Sequence, residues 1–177
     1  MPEIITTSLS RNYPSIILHT RRGLNSEISN EQVDTPLDLW DLHEAEIIKK
    51  EHPFATYRTG PCGYYNCHGL TFASRRTRIF EPTDIMRIIN DDNYKLIQEN
   101  DVLPGDIVMY YQKGDPQHSG IVLDVPTKED HFPRILVLSK WGHGHEVIHA
   151  VRDCPYSISC DLIRYYRVQS VCHGDTV

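Results

Sequence analysis

Tyr64-Tyr65-Asn66-Cys67-His68-Gly69-Leu70-Thr71-Phe72-Ala73-Ser74-Arg75-Arg76 is the stretch from which the rest of the chain is read. A cysteine follows the approach Gly60-Pro61-Cys62-Gly63 and precedes a run whose apolar positions Leu70, Phe72 and Ala73 suit one helix face. That pattern predicts a helix beginning at Cys67. Free N–H groups and the positive dipole end at such a start favour an anion, so the setting predicts a lowered thiol pKa and a usable thiolate. A nucleophile of this kind needs a base, and the downstream chain offers one.

After the cysteine helix, Glu81-Pro82-Thr83-Asp84 has the composition of a second helix start, and Ile85, Ile88, Ile89, Tyr94 and Leu96 continue as helical pieces. A turn at Leu103-Pro104-Gly105-Asp106 then feeds the strand Ile107-Val108-Met109-Tyr110-Tyr111. A second turn, Lys113-Gly114-Asp115-Pro116, delivers His118 at the head of the apolar strand Ser119-Gly120-Ile121-Val122-Leu123-Asp124-Val125. Residues 134–141 and 146–151 read as further strands, and Leu162-Ile163-Arg164-Tyr165-Tyr166-Arg167-Val168 as a closing one. Upstream, Ser15-Ile16-Ile17-Leu18-His19-Thr20 reads as a strand. Leu37, Trp40, Leu42, Ala45, Ile47 and Ile48 recur at helical spacing behind Pro36, which predicts an amphipathic helix with its tryptophan in the core. Helices first, then an antiparallel meander, is an α+β order.

The motifs Tyr57-x-x-Gly60, Asn66-Cys67-His68-Gly69, Leu103-Pro104-Gly105-Asp106-Ile107-Val108 and His118-Ser119-Gly120-Ile121, in that order, resemble the NlpC-type papain-like cysteine peptidases and their CHAP relatives. The resemblance covers residues 54–141, about half of the chain. It implies an α+β papain-like fold, with a nucleophile at a helix N-terminus packed on an antiparallel sheet of about four to six strands. It also implies one domain over residues 1–177, divided into an N-terminal strand and helix cover (1–53) and a catalytic core (54–177).

By the same resemblance Cys67 is the nucleophile, His118 the base, and the Cys67 backbone N–H part of an oxyanion hole. The resemblance also implies that Tyr57 lines the substrate cleft near the tetrahedral intermediate; Asn66, His68 and Trp141 are taken as further candidate substrate-binding residues. The family's nucleophile turn is Asp-Cys-Ser-Gly, so Asn66 and His68 depart from it at the two positions flanking the cysteine. For the third group that orients the base, the strand after the histidine strand holds Ser139 and Lys140 where a polar orienting residue is expected. His149, alternating with Ile148 and Ala150, is the first choice and Ser139 the second.

Composition bounds the function classes. The chain of 177 residues is 40% hydrophobic and 24% charged, ordinary for a globular domain with its own core. A net charge of −6 gives no basic footprint for nucleic acid or an anionic membrane. No apolar stretch reaches the ~20 residues of a membrane span, and Met1-Pro2-Glu3-Ile4-Ile5 lacks the form of an export signal, so a cytoplasmic location or delivery to another compartment is expected. Five cysteines in loose spacing argue for free thiols. His143, His145 and His149 beside Cys62 and Cys67 raise the thought of zinc, but short Cys-x-x-Cys pairs are missing, and neither metal nor cofactor is assigned.

These readings converge on an expectation of amide hydrolysis through a Cys-His acyl-enzyme, on a bacterial cell-wall peptide or as a toxin-type amidase. The alternatives are an acyl transferase or deamidase acting on protein, and a non-catalytic binding module of the same fold. The partners anticipated are a peptide or protein amide substrate and a protein partner or inhibitor.

Overall fold

The structure is a computed structural model, described over residues 14–23, 26–33, 36–127 and 133–169. Three α-helices, α1 (Leu39–Glu51), α2 (Cys67–Ala73) and α3 (Pro82–Asp91), accompany seven strands. These are β1 (Thr56–Tyr57), β2 (Tyr94–Ile97), β3 (Ile107–Gln112), β4 (Asp115–Asp124), β5 (Leu136–Lys140), β6 (Glu146–Ala150) and β7 (Leu162–Val168). They form one sheet in the order β1-β6-β5-β4-β3-β7-β2, antiparallel at every pairing. The fold is α+β, with more strands than anticipated. The additions are β1 and β2 at the two edges, and Tyr94 and Leu96, read as helical pieces, belong to β2. Asn93 takes a left-handed φ of 61°, which ends the α3 region and turns the chain out into that strand.

The central strands are buried on both faces, which is why residues 107–111 read as an unbroken apolar run rather than an alternation. Ile107, Met109 and Tyr111 pack with Ile79, Ile85, Ile88 and Ile89 on the α3 side. Val108 and Tyr110 pack with Val122, Val137, Val151 and Tyr165 on the other. Tyr65 and Leu70, from the α2 region, close the first face over Leu138. The β3–β4 hairpin turns on Lys113 (φ 53°) and Gly114 (φ 93°), two left-handed residues that match the twist of paired strands. Because Asp115 and Pro116 already pair across that turn, His118 stands inside β4 and not at its first residue.

Two readings of the N-terminal third are corrected. Residues 15–20 form no strand; that run makes a single bridge, His19 to Glu27. Helix α1 forms behind the Asp38 cap, whose side chain accepts the Asp41 N–H, yet it buries only Ala45. Trp40 is 74% exposed and Leu39 85%, so the tryptophan placed in the core by helical spacing lies at the surface. The apolar residues of α1 are spread around the helix and not gathered on one face, so the amphipathic stripe expected from the sequence is absent and Ala45 alone is buried.

Candidate active site

The first turn of α2 is built by Asn66. Its Oδ1 accepts the Gly69 N–H (2.9 Å) and the Ile79 N–H (3.1 Å), while its Nδ2 donates to the Ile79 carbonyl (2.6 Å). One side chain therefore caps the helix and ties it to the returning chain. Gly69 allows that chain to approach: a Cβ there would lie 1.8 Å from the Thr77 carbonyl oxygen.

The helix start lies over the end of the sheet at which β4 begins. There Asn66, Cys67 and His68 share a cavity of about 310 Å³ with Pro116, Gln117, His118, Gly142 and Tyr156. The nucleophile and base read from the sequence are thus brought to one site. Tyr156 stacks on the His118 ring at 4.4 Å between centroids. It comes from the 3-10 turn Pro155–Ile158, and no motif in the sequence singled it out.

Burial governs the electrostatics. Cys67 is 8% exposed, and loss of solvent pushes its thiol up to about 11. Backbone N–H groups of Ser119, His68 and Cys67 itself, together with the nearby Lys140 ammonium, pull the other way without prevailing. The lowered thiol pKa anticipated from the helix start is therefore corrected: the two-turn helix does not offset the cost of ionising sulfur away from water. His118, 1% exposed, is held well below the ordinary imidazole range by burial and then by the neighbouring His149 and His68. The resting pair is a neutral thiol beside a neutral imidazole.

Residues expected to complete the site are distributed otherwise. The Nδ1–H of His149 donates to the Ala150 carbonyl (2.8 Å), so its Nε2 accepts from the Ser139 hydroxyl (2.7 Å). The two candidates for the orienting group are bonded to each other, and no hydrogen bond joins either to His118. The Nε2 of His118 is buried without a partner. Tyr57 does not line the cavity; its hydroxyl donates to the His52 carbonyl (3.1 Å), and its ring meets Trp141 and His145 edge-on. Trp141 is buried against His149 and His52, with its indole N–H unpartnered.

Lys140 is fully buried, and its Nζ donates to the carbonyls of Gly142 (3.1 Å) and Gly144. Burial pushes its ammonium down to about 8. By gripping two carbonyls of the 141–145 turn it fixes Gly142 against the cavity. Glu146, opposite Lys140 in the β5–β6 register, accepts from Tyr65 Oη (2.6 Å) and from the Arg75 guanidinium. These charged groups sit where a sequence reading sees only strand alternation.

Two larger clefts, of about 920 and 790 Å³, lie elsewhere. The first borders His149 and Cys154, but both nitrogens of that imidazole are engaged and burial pushes that thiol up to about 12. Among the described residues Cys62, Cys67, Cys154 and Cys160 are free thiols, and no three His, Cys, Asp or Glu side chains converge as a metal site. No described helix is long and apolar enough to cross a membrane. No protein-family model, no curated protein and no solved structure matches this chain.

Proposed function

We propose that this protein is a cysteine hydrolase of papain-like architecture that cleaves an amide bond through an acyl-enzyme. The observation that carries the reading is a small cavity lined by both Cys67 and His118, with Tyr156 stacked on the His118 ring. In the sequence, the turn and strand motifs that resemble the NlpC-type and CHAP peptidases lead to the same two residues.

From a neutral pair, attack and proton transfer go together. Sulfur bonds to the substrate carbonyl carbon as His118 takes the thiol proton, so no free thiolate accumulates. The developing oxyanion is met by the Cys67 N–H and the Tyr156 hydroxyl, which takes the place given to Tyr57 in the sequence reading. The C–N bond then breaks as His118 returns the proton to the leaving nitrogen, and water hydrolyses the thioester. With an amine or alcohol acceptor in place of water the same site is an acyl transferase; with a primary carboxamide substrate it is a deamidase.

A second reading, a binding module without catalysis, is favoured by one observation: the His118 Nε2 lacks the partner that would orient the ring. A panel of acyl 4-nitroanilides separates the two. Catalysis predicts release of 4-nitroaniline with one acyl group on Cys67 by intact and peptide mass. It also predicts none in Cys67→Ala, and a loss of about 10²–10⁴-fold in His118→Ala. No acyl transfer to Cys67 from any member would establish the binding module instead.

A further inference from the structure

The residue after the nucleophile is held in one tautomer by a chain of hydrogen bonds that can run in only one direction. Thr71 Oγ1 lies 2.9 Å from the Cys67 carbonyl oxygen, which can only accept, so the threonine proton is committed there. Ser119 Oγ, 2.9 Å from Thr71 Oγ1, must then donate its single proton to the threonine. The third bond, 2.9 Å between Ser119 Oγ and His68 Nδ1, is left to be donated by the imidazole. Neutral His68 thus carries its proton on Nδ1 and presents Nε2 as a bare acceptor.

That acceptor belongs to the cavity. The His68 ring is buried and lines the wall beside Cys67 and His118, yet its Nε2 is not among the sealed, unpartnered polar atoms. The atom has no bond to any described side chain and is not sealed off, and the cavity is one that His68 itself lines, so we infer that Nε2 is reached from there. Burial also pushes the imidazole down to about 3, so it stays an acceptor throughout the neutral range.

We propose that His68 Nε2 accepts a hydrogen bond from the N–H of the scissile amide, confining the site to primary and secondary carboxamides. This rests on the hydrolase reading and names its substrate class. When the C–N bond breaks, the leaving nitrogen must turn its lone pair toward the protonated His118, and its N–H then points elsewhere. His68 Nε2 offers it a buried side-chain acceptor among the residues that line the same cavity. An ester, a thioester or a tertiary amide such as the bond preceding proline has no such hydrogen. Each would bury the imidazole acceptor unpaired, which a site built around a hydrogen bond penalises heavily.

The test compares 2-iodoacetamide with N,N-dimethyl-2-iodoacetamide and methyl iodoacetate, following alkylation of Cys67 in the native protein by peptide mass mapping. Each rate is divided by that of N-acetylcysteine with the same reagent. The normalised rate for iodoacetamide should exceed both others by about tenfold or more. That preference should vanish in His68→Leu, and also in Ser119→Ala, where the imidazole remains but loses the acceptor that fixes its tautomer. Normalised rates equal among the three reagents in the native protein would overturn the inference alone. An ester that tracks the primary amide would overturn it too, because only the bulk of the two methyl groups would then be sensed. If Cys67 reacts with none of them while the free thiol is consumed, the hydrolase reading falls together with it. The native comparison stands even where a variant fails to fold.

Discussion

A sulfur that is buried beside a buried imidazole behaves differently from one poised as an ion pair. With the Cys67 thiol pushed up to about 11, the ionised fraction at neutral pH is on the order of 10⁻⁴, against a few per cent for a free thiol. Raising the pH toward that value increases the thiolate about tenfold per unit. The alkylation rate of Cys67 with iodoacetamide should therefore climb steadily to about pH 11, without a plateau between pH 5 and 8. A plateau there would mean that a thiolate–imidazolium pair exists at rest. That Cys67 and His118 meet was legible from residue type, motif order and the resemblance these carry, and the two line one cavity. Their ionisation was not, because it follows from burial, and the cavity around Cys67 is closed by Tyr156, Pro116 and Gly142 from distant parts of the chain.

At the level of elements, α2 was the most legible piece, since a Gly-rich approach followed by an apolar face marks a helix start locally. What the sequence hides is how tightly that helix is bound to the segment that returns past it. Gly69→Ala would drive a methyl group into the Thr77 carbonyl, a clash no side-chain movement relieves. Asn66→Ala would lose a cap worth about 1 kcal/mol and strip partners from both the N–H and the carbonyl of Ile79, for a total of about 3 kcal/mol. Chemical denaturation should show both variants destabilised, with Cys67→Ala much less affected. An Asn66→Ala midpoint equal to the parent would remove Asn66 as the clamp. Helix α1 was legible as a helix and illegible as a packing element. Its apolar residues point around the helix in several directions, so it presents no single face to a core and Trp40 stays at the surface.

For the molecule as a whole, the buried histidines couple stability to pH. Burial pushes His149 down to about 4 and His68 to about 3, and holds His118 well below the usual range, whereas in the unfolded chain each titrates near ~6.5. Between those values the unfolded chain binds more protons, so stability is fully present above about pH 6.5 and is lost as the pH falls from there toward 4. His149 and His68 each contribute about 1.4 kcal/mol per pH unit in that window, and His118 adds in the same direction. The first two amount to roughly 4 kcal/mol by pH 5, a large part of the whole stability of a typical domain at about 5–15 kcal/mol. Equilibrium unfolding between pH 7 and 4.5 should show this steep loss, moderated in His68→Gln; a flat profile would mean that these rings are solvated. The α+β class and the meander β3 to β6 could be read in order along the chain. The placement of β7 between β3 and β2, and the meeting of His68 and His118 at one cavity, could not. They depend on pairings between residues far apart in sequence, for which local pattern carries no signal.

The surface position of Trp40 and the deep one of Trp141 have an optical consequence. The chain contains two tryptophans, one 74% exposed on α1 and the other buried with its ring 5.2 Å from that of His149. A dissolved collider such as iodide reaches the first emitter and not the second, while protonation of His149 quenches the second and leaves the first unchanged. The protein therefore carries separate fluorescent reporters for its rim and its interior.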